Sequence, residues 1–328
     1  MKNCLPIIPI IPIILFMAIS CSQVEHESDS PPSLSSPYFG LRPTQMPQML
    51  VPDFISSSLT EYNGTFNPEG SMFFFTREAA NKGFIAYTYM QADSSWSKPA
   101  IAPFSGRYSE YDPLFSPDGS RLYFSSERPL TEGGKQGKSR IWYVERTGKS
   151  WSEPIHLPLS DKGDYYSSLT EEGTIYYNIW NTGNIMKASK TDSTYISEAL
   201  PSGPQSINGR TDAGDPFISP KEDYIIYRAY YQEGMGRGDL YISFRIEGKW
   251  TVPENLGSPI NSSSHEMCPW VSSDGNWFIF SSDRLQTPYP QDQLEKLEEK
   301  VHSIDNGLQN IYYMRADFID NMRSKQLE

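Results

Sequence analysis

One outline returns five times along this 328-residue chain. It reads NGTFNPEGSMFFFTRE, DPLFSPDGSRLYFSSERP, YYSSLTEEGTIYYNIW, DPFISPKEDYIIYRAY and CPWVSSDGNWFIFSSDR. Gly70, Gly119, Gly173, Glu222 and Gly275 share one slot, at spacings of 49, 54, 49 and 53 residues. A period near 50 points to a repeat architecture, in which each unit buries its apolar surface against its neighbours.

Within a unit, the tetrad Ser116-Pro117-Asp118-Gly119 carries turn chemistry: Pro presets φ at the second position, and Gly tolerates positive φ at the fourth. Apolar β-formers flank it, which predicts a hairpin. The strand after the turn (residues 72–75, 122–124, 225–227 and 277–280) is apolar on both faces, so both faces must be covered. A third strand follows in each unit (FIAYTYM, RIWYVER, NIMKAS, DLYISFR, NIYYMR). WSKPAIAP, WSEPIHLP, YISEALP and WTVPENLG then read as an outer strand, where a Pro is tolerated. Four antiparallel strands covered on both faces make a blade of a β-propeller. A stacked solenoid would need capping units, and the sequence shows none.

The fifth unit ends without an aromatic-Pro strand, while a spare one, QMPQMLVPDFIS, stands at residues 45–56. It is predicted to complete the last blade and remove the exposed sheet edge. The expected fold is therefore all-β: one propeller domain over 45–328 with five four-stranded blades, or six if the N-terminal segment hides a degenerate unit. A helical insertion is expected at about 292–306. There Leu294, Leu297, Val301 and Ile304 form an apolar stripe. Asp292 with Glu295 opens it and Asn306-Gly307 stops it. The stripe is expected to pack on its own blade, with partner docking as the alternative.

Residues 1–20 combine Lys2, the apolar run LPIIPIIPIILFMAI and a small residue before Cys21, the pattern of a signal peptide. The run is too short to span a bilayer. AIS before Cys21 resembles a bacterial lipobox, with Ala18 where Leu is usual. Cys21 would then carry a lipid, and residues 21–44 would be a flexible tether to the membrane. An ordinary secretory signal with an incidental Cys is the alternative. Loss of Lys2 with the signal leaves 27 basic against 40 acidic residues, a net −13, which argues against a nucleic-acid partner. Cys268 remains as a lone thiol in an apolar strand, expected to be a small buried hydrophobe.

DPLFSPDGSRLYFSSER, DPFISP and CPWVSSDGNWFIFSSDR, each preceded by an aromatic-Pro strand, resemble the TolB-type propeller repeat, a relative of the WD repeat found in bacterial periplasmic proteins and lipoproteins. The resemblance spans roughly residues 45–318. Repeat three lacks the Pro, and repeat four has Glu222 in place of Gly. The resemblance implies a docking or ligand-binding scaffold at the cell envelope, anchored by lipid on its periplasmic face or at the cell surface, monomeric, with an envelope protein or glycan as partner. Only some relatives are enzymes.

A residue common to every blade at one slot reads as scaffold; one that departs from its slot is a candidate for function. Glu61, Glu110, Asp164 and Glu266 precede the innermost strand, with Asp212 one place away. They form either a ring of acids at the channel mouth or a set of loop caps. Departures concentrate in repeats three and four: Tyr165, Tyr166, Asn178, Trp180, Arg210, Arg228, Tyr230 and Tyr231. Aromatics with Arg and Asn suit stacking on a sugar or gripping a peptide, with Arg open to a carboxylate; blade-to-blade packing is the competing role. The four histidines lack the close spacing of a zinc site, and neither metal nor cofactor is expected. Propeller lyases that resemble this repeat use several histidines around a metal. GGKQGKS at 133–139 ends like a phosphate loop but is one residue too short and precedes a strand. A non-catalytic scaffold is the expected function; the alternative is an enzyme acting on an acidic polysaccharide, with Tyr as acid or base beside an Arg.

Overall fold

A computed structural model describes residues 34–180, 182–209, 212–230 and 234–327. The segment expected to be a signal peptide, the expected lipidation site Cys21, and Arg210 and Tyr231 lie outside the described residues.

Among the described residues, the strands form five antiparallel sheets arranged as a propeller. Blade 1 is Thr60–Phe66, Met72–Ala79, Lys82–Tyr89 and Ala100–Ile101; blade 2 is Glu110–Phe115, Arg121–Ser126, Arg140–Thr147 and Ile155–His156. Blade 3 is Asp164–Leu169, Ile175–Ile179, Ile185–Lys190 and Tyr195–Ala199; blade 4 is Gly214–Ile218, Tyr224–Ala229, Asp239–Ile246 and Glu254–Asn255. Blade 5 joins Glu266–Val271, Trp277–Ser282 and Asn310–Arg315 to Gln48–Met49 from the other end of the propeller. Gln48 pairs with Tyr313 and Met49 with Tyr312. The next residue, fully buried Leu50, donates its N–H to the Ile311 carbonyl at 2.8 Å. The ring is closed by hydrogen bonds, as the spare outer strand predicts.

The second strands are buried through their apolar centres, as two covered faces require: Phe73, Phe74, Phe75, Phe124, Phe278 and Phe280 are inaccessible to solvent. Each hairpin turn places its slot residue at positive φ, from 58° at Glu222 to 81° at Gly173. A side chain in this conformation costs about 1–2 kcal/mol. Glu222 offsets the strain with three partners that tie two blades together: the Tyr176 hydroxyl at 2.5 Å and Lys187 at 2.6 Å on blade 3, and Arg245 at 2.5 Å on blade 4.

Three segments differ from expectation. Residues 34–44, read as part of the tether, include a turn packed on the propeller. Phe39 is buried, and Tyr38 stacks on Trp277 with ring centres 4.9 Å apart. Trp96 donates its indole N–H to the Ser36 carbonyl at 2.9 Å. The helix Leu294–Val301 starts after Gln293, which makes no side-chain cap, and buries none of its residues. Leu294 and Val301 stay exposed, and of the expected stripe only Ile304, beyond the helix, packs on the hydrophobic core. Polar bonds hold the insertion instead, with Asp305 accepting the backbone N–H groups of Gln286 and Thr287 and pairing with Lys300. A second helix, Phe318–Leu327, has no counterpart in the repeat pattern; Phe318 meets Phe278 edge-on, and Arg323 pairs with Asp223 at 2.8 Å.

Candidate functional site at the head of the channel

Each innermost strand is interrupted by a β-bulge one residue after the slot occupied by Tyr62, Tyr111, Tyr165, Gly214 and Met267. The bulge residues are Asn63, Asp112, Tyr166, Asp215 and Cys268, all between φ 50° and 57°. None is glycine, and strained non-glycine backbone concentrates where a fold re-aims side chains for use.

The preceding blade supports the bulge. Backbone N–H groups of Asn63, Asp112, Tyr166 and Asp215 donate to Ser281, Thr76, Ser125 and Asn178 at 2.9–3.0 Å. Each acceptor holds the same slot of a second strand. Blade 4 departs from the rule with Arg228, whose Nε donates to Asp215 Oδ2 at 2.9 Å, both side chains being buried. The guanidinium has room because residue 214 is glycine: a Cβ there would lie 2.2 Å from Arg228 Nη2.

Asp112 accepts from Asn63 Nδ2 at 3.3 Å and from the Ser125 hydroxyl at 3.1 Å. Burial, aided by the Asp215 charge, pushes its carboxyl up to about 7. Burial also raises the Tyr166 phenol and the Cys268 thiol. Cys268 is thus a buried, unreactive thiol.

Two residues beyond the acceptor slot, blades 1, 2 and 5 carry Glu78, Glu127 and Asp283, whereas blades 3 and 4 carry Trp180 and Tyr230. Trp180 is 54 % exposed and meets Tyr165 edge-on at 5.6 Å. Tyr230 is 37 % exposed; the Arg228 guanidinium lies 4.7 Å from its ring centre, and its hydroxyl is 3.3 Å from His265 Nε2. The head of the channel therefore has an aromatic rim on one side and a polar floor. A cavity at a different position is apolar, lined by Phe66, Leu114, Phe115, Leu169, Phe217 and Trp270.

The structure sorts the predicted residues. Tyr165, Trp180, Arg228 and Tyr230 do converge. Asn178 is scaffold: buried, it accepts the Asp215 N–H and donates to the Asn184 and Ala213 carbonyls. Tyr166 is buried in the channel. Arg228 gives its Nε to Asp215, which balances its charge, and one Nη to the Asp212 carbonyl. The Tyr-based acid or base required an Arg to lower a phenol; burial instead raises Tyr165 and Tyr166.

The ring of acids turns back beneath its own loops. Glu61 accepts from the N–H and hydroxyl of Ser57 and from Arg77. Glu110 does so from Gly106 N–H, Ser105 and Arg128, and Glu266 from Ser262, Ser282 and Arg284. Asp164 is shorter by one methylene. Neither of its oxygens has a hydrogen-bond partner, Arg140 is 3.9 Å away, and burial pushes the carboxyl up to about 7. Asp212 is exposed at positive φ. These acids cap loops or stand apart and do not line the channel.

Slot comparison does not single out Asn63, Asp112, Asp215 or His265. Their signal was present: Asp112 and Asp215 stand in DPLF and DPFI where the other repeats have Asn, Tyr and Cys. Among the described residues no group of three or more His, Cys, Asp or Glu is placed to hold a metal ion.

Fold and site together define a five-bladed β-propeller with a polar, aromatic-rimmed channel head. Solved structures similar to this chain include TolB from Acinetobacter baumannii, at 18 % identity over 61 % of this chain and 44 % of that one, TM-score 0.41. A thermostable family-43 glycoside hydrolase matches at 14 % identity over 80 % and 92 %, TM-score 0.48. The GH43 endo-arabinanase from Bacillus licheniformis matches at 12 % over 84 % and 96 %, TM-score 0.47. No family model matches the chain, and no curated protein does.

Proposed function

We propose that this chain is a non-catalytic, saccharide-binding propeller of the bacterial cell envelope, with its ligand seated at the channel head. The observation that carries the reading is the aromatic pair Trp180 and Tyr230, exposed in adjacent blades above the buried polar floor of Asp112 and the Asp215–Arg228 pair. Flat apolar faces beside fixed polar groups suit a sugar ring, which presents both kinds of surface. The signal-like N-terminus and Cys21 support the envelope assignment. Titration with envelope oligosaccharides, followed by tryptophan fluorescence, tests it. Binding should be lost in Trp180→Ala with Tm unchanged; retention of full affinity in that variant would sink the reading.

One observation favours a second reading, a glycoside-cleaving enzyme. Asp112, pushed up to about 7, faces Asp215, whose charge Arg228 balances; two carboxyls in contrasting environments are the elements of acid–base catalysis. Release of reducing ends by the wild type, absent in Asp112→Asn, would favour this reading over the non-catalytic one.

A further inference from the structure

The charges at the channel head are unevenly matched. Among the described residues, Arg228 is balanced by Asp215 and Arg237 by Asp283. Asp112 is left with neutral partners, Asn63 and Ser125. Asp212 adds a carboxylate on the exposed side of blade 4. His265 is held toward its neutral form, chiefly by burial. An arriving carboxylate would find its natural partner occupied and two acids facing it. An arriving ammonium would find Asp112, a buried carboxyl with no cationic partner of its own.

We infer that the head selects a saccharide bearing a free ammonium over one bearing a carboxylate, with Asp112 as the group that receives the ammonium. This rests on the saccharide-binding reading and gives its ligand class. It replaces the acidic glycan suggested by unpaired Arg228, since Asp215 already balances the guanidinium charge and a second carboxylate there would leave the cluster net negative. The aromatic rim supports the same choice, because ring faces attract cations.

Selection of this kind is pH-dependent. Asp112 is faced by Asp215 of blade 4, Tyr62 of blade 1, Tyr165 and Tyr166 of blade 3 and Cys268 of blade 5. Burial and the Asp215 charge disfavour a charge on Asp112, the raised phenols and thiol staying neutral around it, and an ammonium reverses that balance. Binding the cation therefore ionises Asp112, and affinity rises as pH climbs from 5 toward 7.

The test is calorimetric titration of the full chain with three probes of equal length: glucosamine tetramer, its fully N-acetylated form and a galacturonate tetramer. The glucosamine tetramer should bind roughly tenfold more tightly than the acetylated one, and the galacturonate should bind least. Asp112→Asn should bring the glucosamine and acetylated ligands to equal affinity. Should that variant fail to fold, the wild-type pH profile decides: glucosamine affinity rises between pH 5 and 7 while acetylated-ligand affinity stays flat. Galacturonate binding as tight as glucosamine overturns the inference while leaving the saccharide reading intact. Persistence of the preference in Asp112→Asn does the same. Binding of none of the three overturns both.

Discussion

Arg228 Nε meets Asp215 Oδ2 at 2.9 Å in the channel head, over a glycine that leaves the guanidinium its place. Removing one partner of a buried pair strands the other charge. Arg228→Ala should therefore destabilise the domain by about 3–5 kcal/mol in urea unfolding, and adding Asp215→Ala should recover part of the loss. Gly214→Ala should cost about 1–3 kcal/mol by pushing the guanidinium aside. A loss below about 1 kcal/mol in Arg228→Ala would show that the pair is solvated.

Stability should fall as pH rises through the acid-to-neutral range. Asp112 and Asp164 are both pushed up to about 7 from an ordinary 3.8. Between these values the folded chain holds protons that the unfolded chain has released, so the stabilisation fades with rising pH and is gone above 7. Carboxylates held low by bonding, Asp223, Asp274 and Asp305 among them, act oppositely, and their contribution is lost as pH falls below about 4. Tm against pH should peak on the acid side of neutrality, and Asp112→Asn should flatten the decline.

Asp164 invites repair. In the three Glu-bearing blades the longer side chain reaches the backbone N–H four residues before it and a Ser hydroxyl, whereas Asp164 reaches neither. Asp164→Glu should raise stability by about 1 kcal/mol, the worth of a buried hydrogen bond, measured by thermal unfolding. A lower Tm would mean the loop over residues 160–163 cannot supply the donors.

Closure can be cut. Deleting residues 40–56 removes Gln48, Met49 and buried Leu50 and leaves Asn310–Arg315 as a bare edge. Gross loss of Tm and aggregation are expected; an unchanged Tm would refute closure by this strand.

Membrane attachment should depend on Cys21. Cys21→Ser should move the protein from the membrane to the soluble fraction, and absence of fatty-acid labelling on the wild type would contradict a lipid anchor.

The turns, the blades and the closing strand were legible because each depends on local chemistry or on counting: five slot residues share one φ region, and one outer strand was spare. Glu222 takes the conformation its glycine neighbours predict. The site was half legible. Arg228, Trp180 and Tyr230 stood out as departures from their slots, but the bulge adds a residue to each inner strand and changes which side chain faces the channel, which hid Asp112 and Asp215. Tyr38 and Phe39 fall in the segment whose composition predicts a tether, because their left-handed backbone is fixed by distant partners, Trp277 and Phe66. The helix Phe318–Leu327 escaped for the same reason, its order coming from Phe278 and Asp223.

Pairing Met49 with Tyr312 sets a clock on the newborn chain. The two positions are 263 residues apart, so the outer strand of the last blade waits through nearly the whole synthesis of the propeller for its partner. At a translation rate of roughly 5–20 residues per second, that wait lasts about 13–50 s. Four blades can assemble in order while the early strand stays unclaimed, and only the arrival of the final one converts an open arc into a closed wheel.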